Sequence, residues 1–375
     1  MTIVLFVVGV GLLIGGAELL VRGSSRLATA MGISQLTVGL TVVAFGTGSP
    51  ELAVTLRSSL TGQGDLALGN VIGSNISNVL LVLGISAVLG PVAVSRQMVR
   101  ESVPIMILVS AALFGLSADG DLSRNDGLIL IAAGVGYIIF SLLRSQGRTD
   151  EKNDASDRGR RVMARSSAMA LLGLVILVIG ANFVVKAGVA AAHYLGIDEL
   201  VIGLTIVAVG TSLPEIATSV MAAMRGERDI AVGNAVGSNI FNILFVLGVA
   251  AVVSGVDVPE AVYRFDLPVM TVVAVACLPV FFTGFAIARW EGLMFLAYFA
   301  CYTTYLILKA TDHTALAPFS GVMLIFVFPL TLATLAVFTF QAIRDRRSGA
   351  KADEDAGPEK NPASTAGTNG DSDGE

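Results

Sequence analysis

Residues 37–84 read TVGLTVVAFGTGSPELAVTLRSSLTGQGDLALGNVIGSNISNVLLVLG, and residues 201–248 read VIGLTIVAVGTSLPEIATSVMAAMRGERDIAVGNAVGSNIFNILFVLG. The two align without a gap at an offset of 164, and 24 of the 48 aligned positions are identical. Among the identities are Gly46/Gly210, Thr47/Thr211, Pro50/Pro214, Glu51/Glu215, Gly69/Gly233, Asn70/Asn234, Ser74/Ser238, Asn75/Asn239 and Asn78/Asn242. Burial does not account for carboxylates, hydroxyls and amides repeated inside apolar segments, because each is costly there without a partner. These residues are the candidate site.

The flanking sequence sets the medium. Hydrophobic residues make up 54% of the 375 residues and charged ones only 14%, with a mean hydropathy of +0.79. A soluble domain carries about 25% charged residues. Apolar runs of roughly 18 or more residues recur, which predicts a multi-span α-helical membrane protein. Eleven spans are expected, near 2–20, 35–60, 70–90, 102–117, 127–143, 167–186, 199–224, 234–254, 266–283, 290–309 and 319–341.

The same offset holds outside the central stretch. Gly9, Gly16 and Ala17 match Gly173, Gly180 and Ala181, and Pro104 matches Pro268. With one added residue, Arg124, Gly127 and Leu128 match Arg289, Gly292 and Leu293. The repeat unit is therefore five spans: 1–143, then a polar linker 144–166, a second unit 167–309, an extra span within 310–341, and a disordered tail 342–375. Two copies of an odd number of spans in series must cross the bilayer in opposite senses. The predicted fold is all-α, two inverted five-helix repeats plus one helix, the plan of many secondary transporters.

Orientation follows from basic residues. With the N-terminus outside, inner loops and tail hold 19 of the 24 Lys and Arg, leaving Arg57, Arg124, Lys186, Arg264 and Lys309. The linker and the tail are then cytoplasmic. The N-terminal MTIVLFVVGV has no basic leader and no small-residue cleavage site, which predicts a retained span. Cys277 and Cys301 fall inside spans and read as free thiols. Glu18 and Arg22 read as a local i,i+4 ion pair.

The site chemistry comes from GTGSPE at 46–51 and GTSLPE at 210–215. Pro50 and Pro214 free the carbonyls of Gly46 and Gly210, and irregular backbone at that depth needs a cavity or protein around it. In a continuous helix Thr47 and Glu51 share a face, as do Thr211 and Glu215; in the next span Ser74 pairs with Asn78 and Ser238 with Asn242. The inventory is carboxylates, hydroxyls, amide oxygens and carbonyls, with no His or Cys nearby. Such an all-oxygen set suits hard cations, above all Ca2+ and Na+, and no cofactor or nucleic-acid partner is expected.

These motifs, the doubled GTxxPE and the doubled GNxxGSNI(S/F)N, resemble the sodium/calcium exchanger family of the calcium/cation antiporter superfamily, prokaryotic type, over residues 1–309. The resemblance implies that Glu51 and Glu215 are central cation ligands. It implies hydroxyl ligands at Thr47, Thr211, Ser212, Ser74 and Ser238, amide ligands at Asn78 and Asn242, and carbonyl ligands at Ala44 and Ala208. It further implies exchange of one Ca2+ for about three Na+ in an inner membrane, a monomer sufficing, with the first and sixth spans sliding against the rest. Two departures stand out: Gly48 where the second motif has Ser212, and Asn242 where some relatives, potassium-dependent ones among them, carry Asp. A calcium/proton exchanger and a passive cation channel use the same oxygens and are the alternatives. No nucleophile or catalytic dyad points to an enzyme.

Overall fold

A computed structural model describes residues 1–145, 157–197, 199–202, 205–206, 208–282 and 284–329, with 332, 336 and 340. The expected tail and about half of the linker lie outside the described residues. So do parts of the seventh and eleventh spans, and the side chain of Asp65.

Among the described residues, twelve longer helices carry the fold. They are α1 (Thr2–Met31), α2 (Gln35–Thr47), α3 (Ser49–Leu60), α4 (Leu66–Leu89), α5 (Met98–Asp119), α6 (Arg124–Ser145), α7 (Arg160–Tyr194), α8 (Leu213–Met224), α9 (Arg228–Ser254), α10 (Val262–Phe282), α11 (Arg289–Ala310) and α12 (Leu316–Ile325). Eight of these are long and apolar enough to cross a membrane, and the bent pair α2–α3 makes a ninth among the described residues. The first span runs well past its predicted end. Glu18 and Arg22 do not stop it, because nothing breaks the helix until Gly32 adopts the left-handed φ of 65°. At 30 residues α1 is about 45 Å long.

The inversion is visible where α1 meets α7. A Cβ on Gly9 would reach Gly180 O at 3.0 Å, one on Gly16 would reach Gly173 O at 2.8 Å, and one on Gly23 would reach Ala170 N at 2.6 Å. As numbers rise along α1 they fall along α7, so the two helices are antiparallel. They occupy equivalent places in the repeat, Gly9 matching Gly173 and Gly16 matching Gly180. The other contacts obey the same exchange. Gly127 on α6 lies against Gly248 on α9, and its counterpart Gly292 on α11 lies against Gly84 on α4. Two short antiparallel ladders tie the halves together: β1 (Val92–Ala93) pairs with β4 (Ala286–Ile287), and β2 (Asp121–Leu122) with β3 (Val256–Asp257).

Burial separates an inner from an outer layer. In α4 and α9, 78% of the apolar window is buried, against 28% in α1 and α7. The two helices carrying GNxxGSNI are thus the centre of the molecule, and the long α1–α7 pair lies at its edge. Both central helices widen to a π-turn at equivalent places, Asn78–Leu83 and Asn242–Leu247. Such turns disturb the regular ladder and occur often at functional sites.

Candidate cation site

The backbone breaks ahead of the prolines rather than at them. Helix α2 ends at Thr47, Gly48 takes φ −76° and ψ 1°, and α3 begins at Ser49 with Pro50 in its first turn, bent 46° from α2. In the second half a short helix Ala208–Thr211 stops at Ser212, φ −85° and ψ 2°, and α8 begins at Leu213 with Pro214 in its first turn. Pro50 thus lies in the first turn of a new helix, two residues after the break. A proline in a first turn withholds an N–H that had no intrahelical partner anyway. A hinge lies between the members of each i,i+4 pair, Thr47 with Glu51 and Thr211 with Glu215. The acids gain from the break. Each sits in the first turn of its helix, where the dipole favours negative charge.

Of the predicted residues, Glu51, Glu215, Thr47, Ser212, Ser74, Ser238, Asn78, Asn242 and Ala44 are all buried. Thr211 is half-buried, and the side chain of Ala208 lies outside the described residues. The two carboxylates lie close enough to interact electrostatically. The Thr47 hydroxyl stands 3.1 Å from the carbonyl of Val43 and 3.0 Å from Asn234 Oδ1, so one proton serves two acceptors. The Ala44 carbonyl accepts the Gly48 N–H at 3.0 Å, which leaves its second lone pair. Ser49 donates to Phe45 O at 3.0 Å and so does not replace the hydroxyl absent at Gly48.

A two-fold network of asparagines frames these groups. Asn70 Nδ2 donates to Thr55 Oγ1 at 2.9 Å and Glu51 O at 3.3 Å; Asn234 Nδ2 donates to Ser219 Oγ at 3.0 Å and Glu215 O at 3.4 Å. Asn75 Nδ2 donates to Asn239 O at 3.3 Å, and Asn239 Nδ2 returns the bond to Asn75 O at 3.1 Å. Asn242 Nδ2 donates to Asn75 Oδ1 at 3.1 Å, a bond that an Asp at this position has no proton to make. The framing role of Asn70, Asn75, Asn234 and Asn239 was absent from the predicted ligand set. Their exact duplication between the repeats was the signal for it.

After this network is formed, a group of oxygens is left over. Glu51 Oε2, both carboxylate oxygens of Glu215, Ser212 Oγ, Ser238 Oγ, Asn78 Oδ1 and Asn242 Oδ1 are buried without a hydrogen-bond partner among the described residues. Neither acid enters an ion pair among the described residues. Most buried polar groups are satisfied, so a cluster of acceptors of this kind needs an external partner of positive charge. No group of three or more His, Cys, Asp or Glu forms a metal cluster among the described residues. Two acids with neutral oxygens around them are the whole charge complement.

Glu18 is the remaining surprise. It pairs with Arg22 on its own helix, as expected, and also with Arg225 just past the end of α8. Ser25 donates to Glu227 at 2.9 Å beside it. Helix α1 of the first half is thereby pinned to the turn between α8 and α9 of the second. Cys277 and Cys301 are free thiols.

An inverted bundle of membrane helices, with a buried nest of hard oxygen donors at the meeting of its halves, defines a transporter of ions rather than an enzyme. The chain belongs to the sodium/calcium exchanger family, whose model, "Sodium/calcium exchanger protein", matches residues 1–143 and 166–308. It is 37% identical over 278 residues to the inner membrane protein YrbG of Escherichia coli, covering 72% of this chain and 86% of that one. It is 31% identical over 337 residues to the sodium/calcium exchanger MaX1 of Methanosarcina acetivorans, covering 80% and 96%. Among solved structures it is similar to the sodium-calcium exchanger NCX_Mj soaked with 10 mM Na+ and zero Ca2+: TM-score 0.71, 29% identity, 82% of this chain and 98% of that one. The protein is a multi-pass membrane antiporter of the cation/Ca2+ class.

Proposed function

We propose that the chain exchanges Ca2+ for Na+ by alternating access to one central site, with Glu51 and Glu215 as the acids that take the calcium ion. The observation that carries this reading is the set of seven buried, unpartnered oxygens on Glu51, Asn78, Ser212, Glu215, Ser238 and Asn242. Two formal negative charges match one Ca2+. Thr47, Thr211, Ser74 and the carbonyls of Ala44 and Ala208 complete the ligand set together with Ser212 and Ser238. Monovalent Na+ shares the neutral oxygens and competes for the carboxylates.

With about three Na+ per Ca2+, one net positive charge enters per calcium extruded. A potential of 100 mV then contributes about 2.3 kcal/mol to export. The N-terminus lies outside in this reading, with the linker 144–166 and the tail 342–375 in the cytoplasm. The repeats 1–143 and 167–309 are the two functional halves. Helices α1 and α7, shallowly buried and packed backbone to backbone, slide together along the deeply buried core. The pairing of Glu18 with Arg225 ties the middle of α1 to the end of α8.

The test is calcium uptake into proteoliposomes under imposed gradients. A sodium gradient at fixed pH drives uptake, and a valinomycin-clamped potential changes its rate. Uptake driven by a proton gradient and indifferent to sodium makes the protein a calcium/proton exchanger instead. Flux that never accumulates calcium above equilibrium makes it a channel.

A further inference from the structure

The halves match closely around the site, but among the aligned pairs that differ there are Gly48 against Ser212 and Ser77 against Phe241. The fold makes these two differences one. A Cβ on Gly48 would stand 2.9 Å from Phe241 Cδ1 and 3.1 Å from Cε1, so the phenyl ring fills the space beside the first hinge. The ring is itself held, 4.7 Å from the ring of Phe45 and 5.5 Å from that of Phe245. The two-fold relation that exchanges Asn75 with Asn239 and Met106 with Met270 carries the Gly48–Phe241 pair onto Ser212 and Ser77. Helix α4 packs on Ala208–Thr211 as α9 packs on the Ala44–Thr47 segment of α2.

Where one hinge meets a glycine and a ring, the other therefore meets two hydroxyls. Ser212 is 0% exposed and Ser77 3% exposed, and neither hydroxyl has a partner among the described residues. Some other buried serines of these helices find a partner in their own backbone. Ser86 donates to the carbonyl of Val82 at 2.8 Å and Ser110 to that of Met106 at 2.9 Å, each returning its proton to the backbone four residues back. Ser77 and Ser212 forgo this bond, which leaves both oxygens facing a partner other than their own helix.

We propose that Ser77 joins Ser212 in a sodium-ligating flank of the site that has no counterpart beside Gly48, where Phe241 closes the space. This rests on the exchange reading above and assigns to Ser77 a role in ion selectivity. Neutral hydroxyls favour a monovalent cation over a divalent one, since the divalent ion draws its stabilisation from the acids. Sodium then binds the two flanks unequally, and the second-half hinge is the one whose chemistry tunes sodium against calcium.

Sodium-dependent calcium efflux and sodium-free Ca2+/Ca2+ exchange, measured on the same reconstituted protein, test this. Loss of one ligand in Ser77→Ala raises the KM for sodium about five- to tenfold. The KM for calcium in Ca2+/Ca2+ exchange moves much less. The double substitution Gly48→Ser with Phe241→Ser builds a second hydroxyl pair and lowers the sodium KM. An unchanged sodium KM in Ser77→Ala overturns the proposal while leaving exchange itself intact. Calcium flux in the unsubstituted protein that ignores sodium removes the exchange reading and this one with it.

Discussion

The seam between α1 and α7 gives the sharpest quantitative prediction. At Gly16 an added methyl would sit 2.5 Å from Leu177 N, 2.8 Å from Leu177 Cα and 2.8 Å from Gly173 O. Ordinary contact begins at 3.4 Å, so the backbones must part by close to 1 Å. All the near atoms are main chain, and no rotamer can relieve the clash. Overpacking of this kind costs about 1–3 kcal/mol. In a bilayer, where close packing rather than apolar burial joins helices, little offsets it. Gly15 is the internal control, because nothing lies within 4 Å of its Cβ position. There alanine replaces a helical glycine in open space and changes stability by at most about 1 kcal/mol, in the favourable direction. The assay is thermal unfolding of the two purified variants in one detergent, followed by calcium flux in liposomes. Gly16→Ala lowers the midpoint and slows flux, and Gly15→Ala does neither. Equal midpoints for the two would show that the seam is not backbone-tight and would refute the packing argument.

Glu51→Gln and Glu215→Gln each remove one of the two charges opposing the calcium ion. A loss of roughly 3 kcal/mol lowers affinity more than a hundredfold, and calorimetric titration with Ca2+ reads it directly. Tight binding in either variant would remove that acid from the site. Glu18→Gln breaks the link to Arg225 at a partly exposed position, so stability falls by less than about 1 kcal/mol. Its exchange rate becomes less sensitive to salt, as stopped-flow flux in low and high inert salt will report. Asn242→Asp discards the donor to Asn75 Oδ1 and adds a third acid, so divalent binding tightens while the thermal midpoint falls. A midpoint equal to the parent protein's would show that this hydrogen bond carries no stability.

The sequence by itself determined the medium, the inversion and the identity of the buried acids. Hydropathy reports the solvent of each segment, and a duplication of an odd number of spans admits only an inverted arrangement. Glu51 and Glu215 were legible because a carboxylate has no reason to recur in lipid except its charge. The way the backbone delivers these groups was not legible. A proline motif reads alike whether the helix kinks at Pro50 or breaks at Gly48, and only the packed neighbours decide between them. The reciprocal bonds of Asn75 and Asn239, the pairing of Glu18 with Arg225 and the contact of Gly48 with Phe241 all join residues more than 150 positions apart. Such contacts depend on how two halves interlock, and local propensity carries no information about them. That interlocking turns a list of repeated polar residues into one buried set of oxygens with charge left to match.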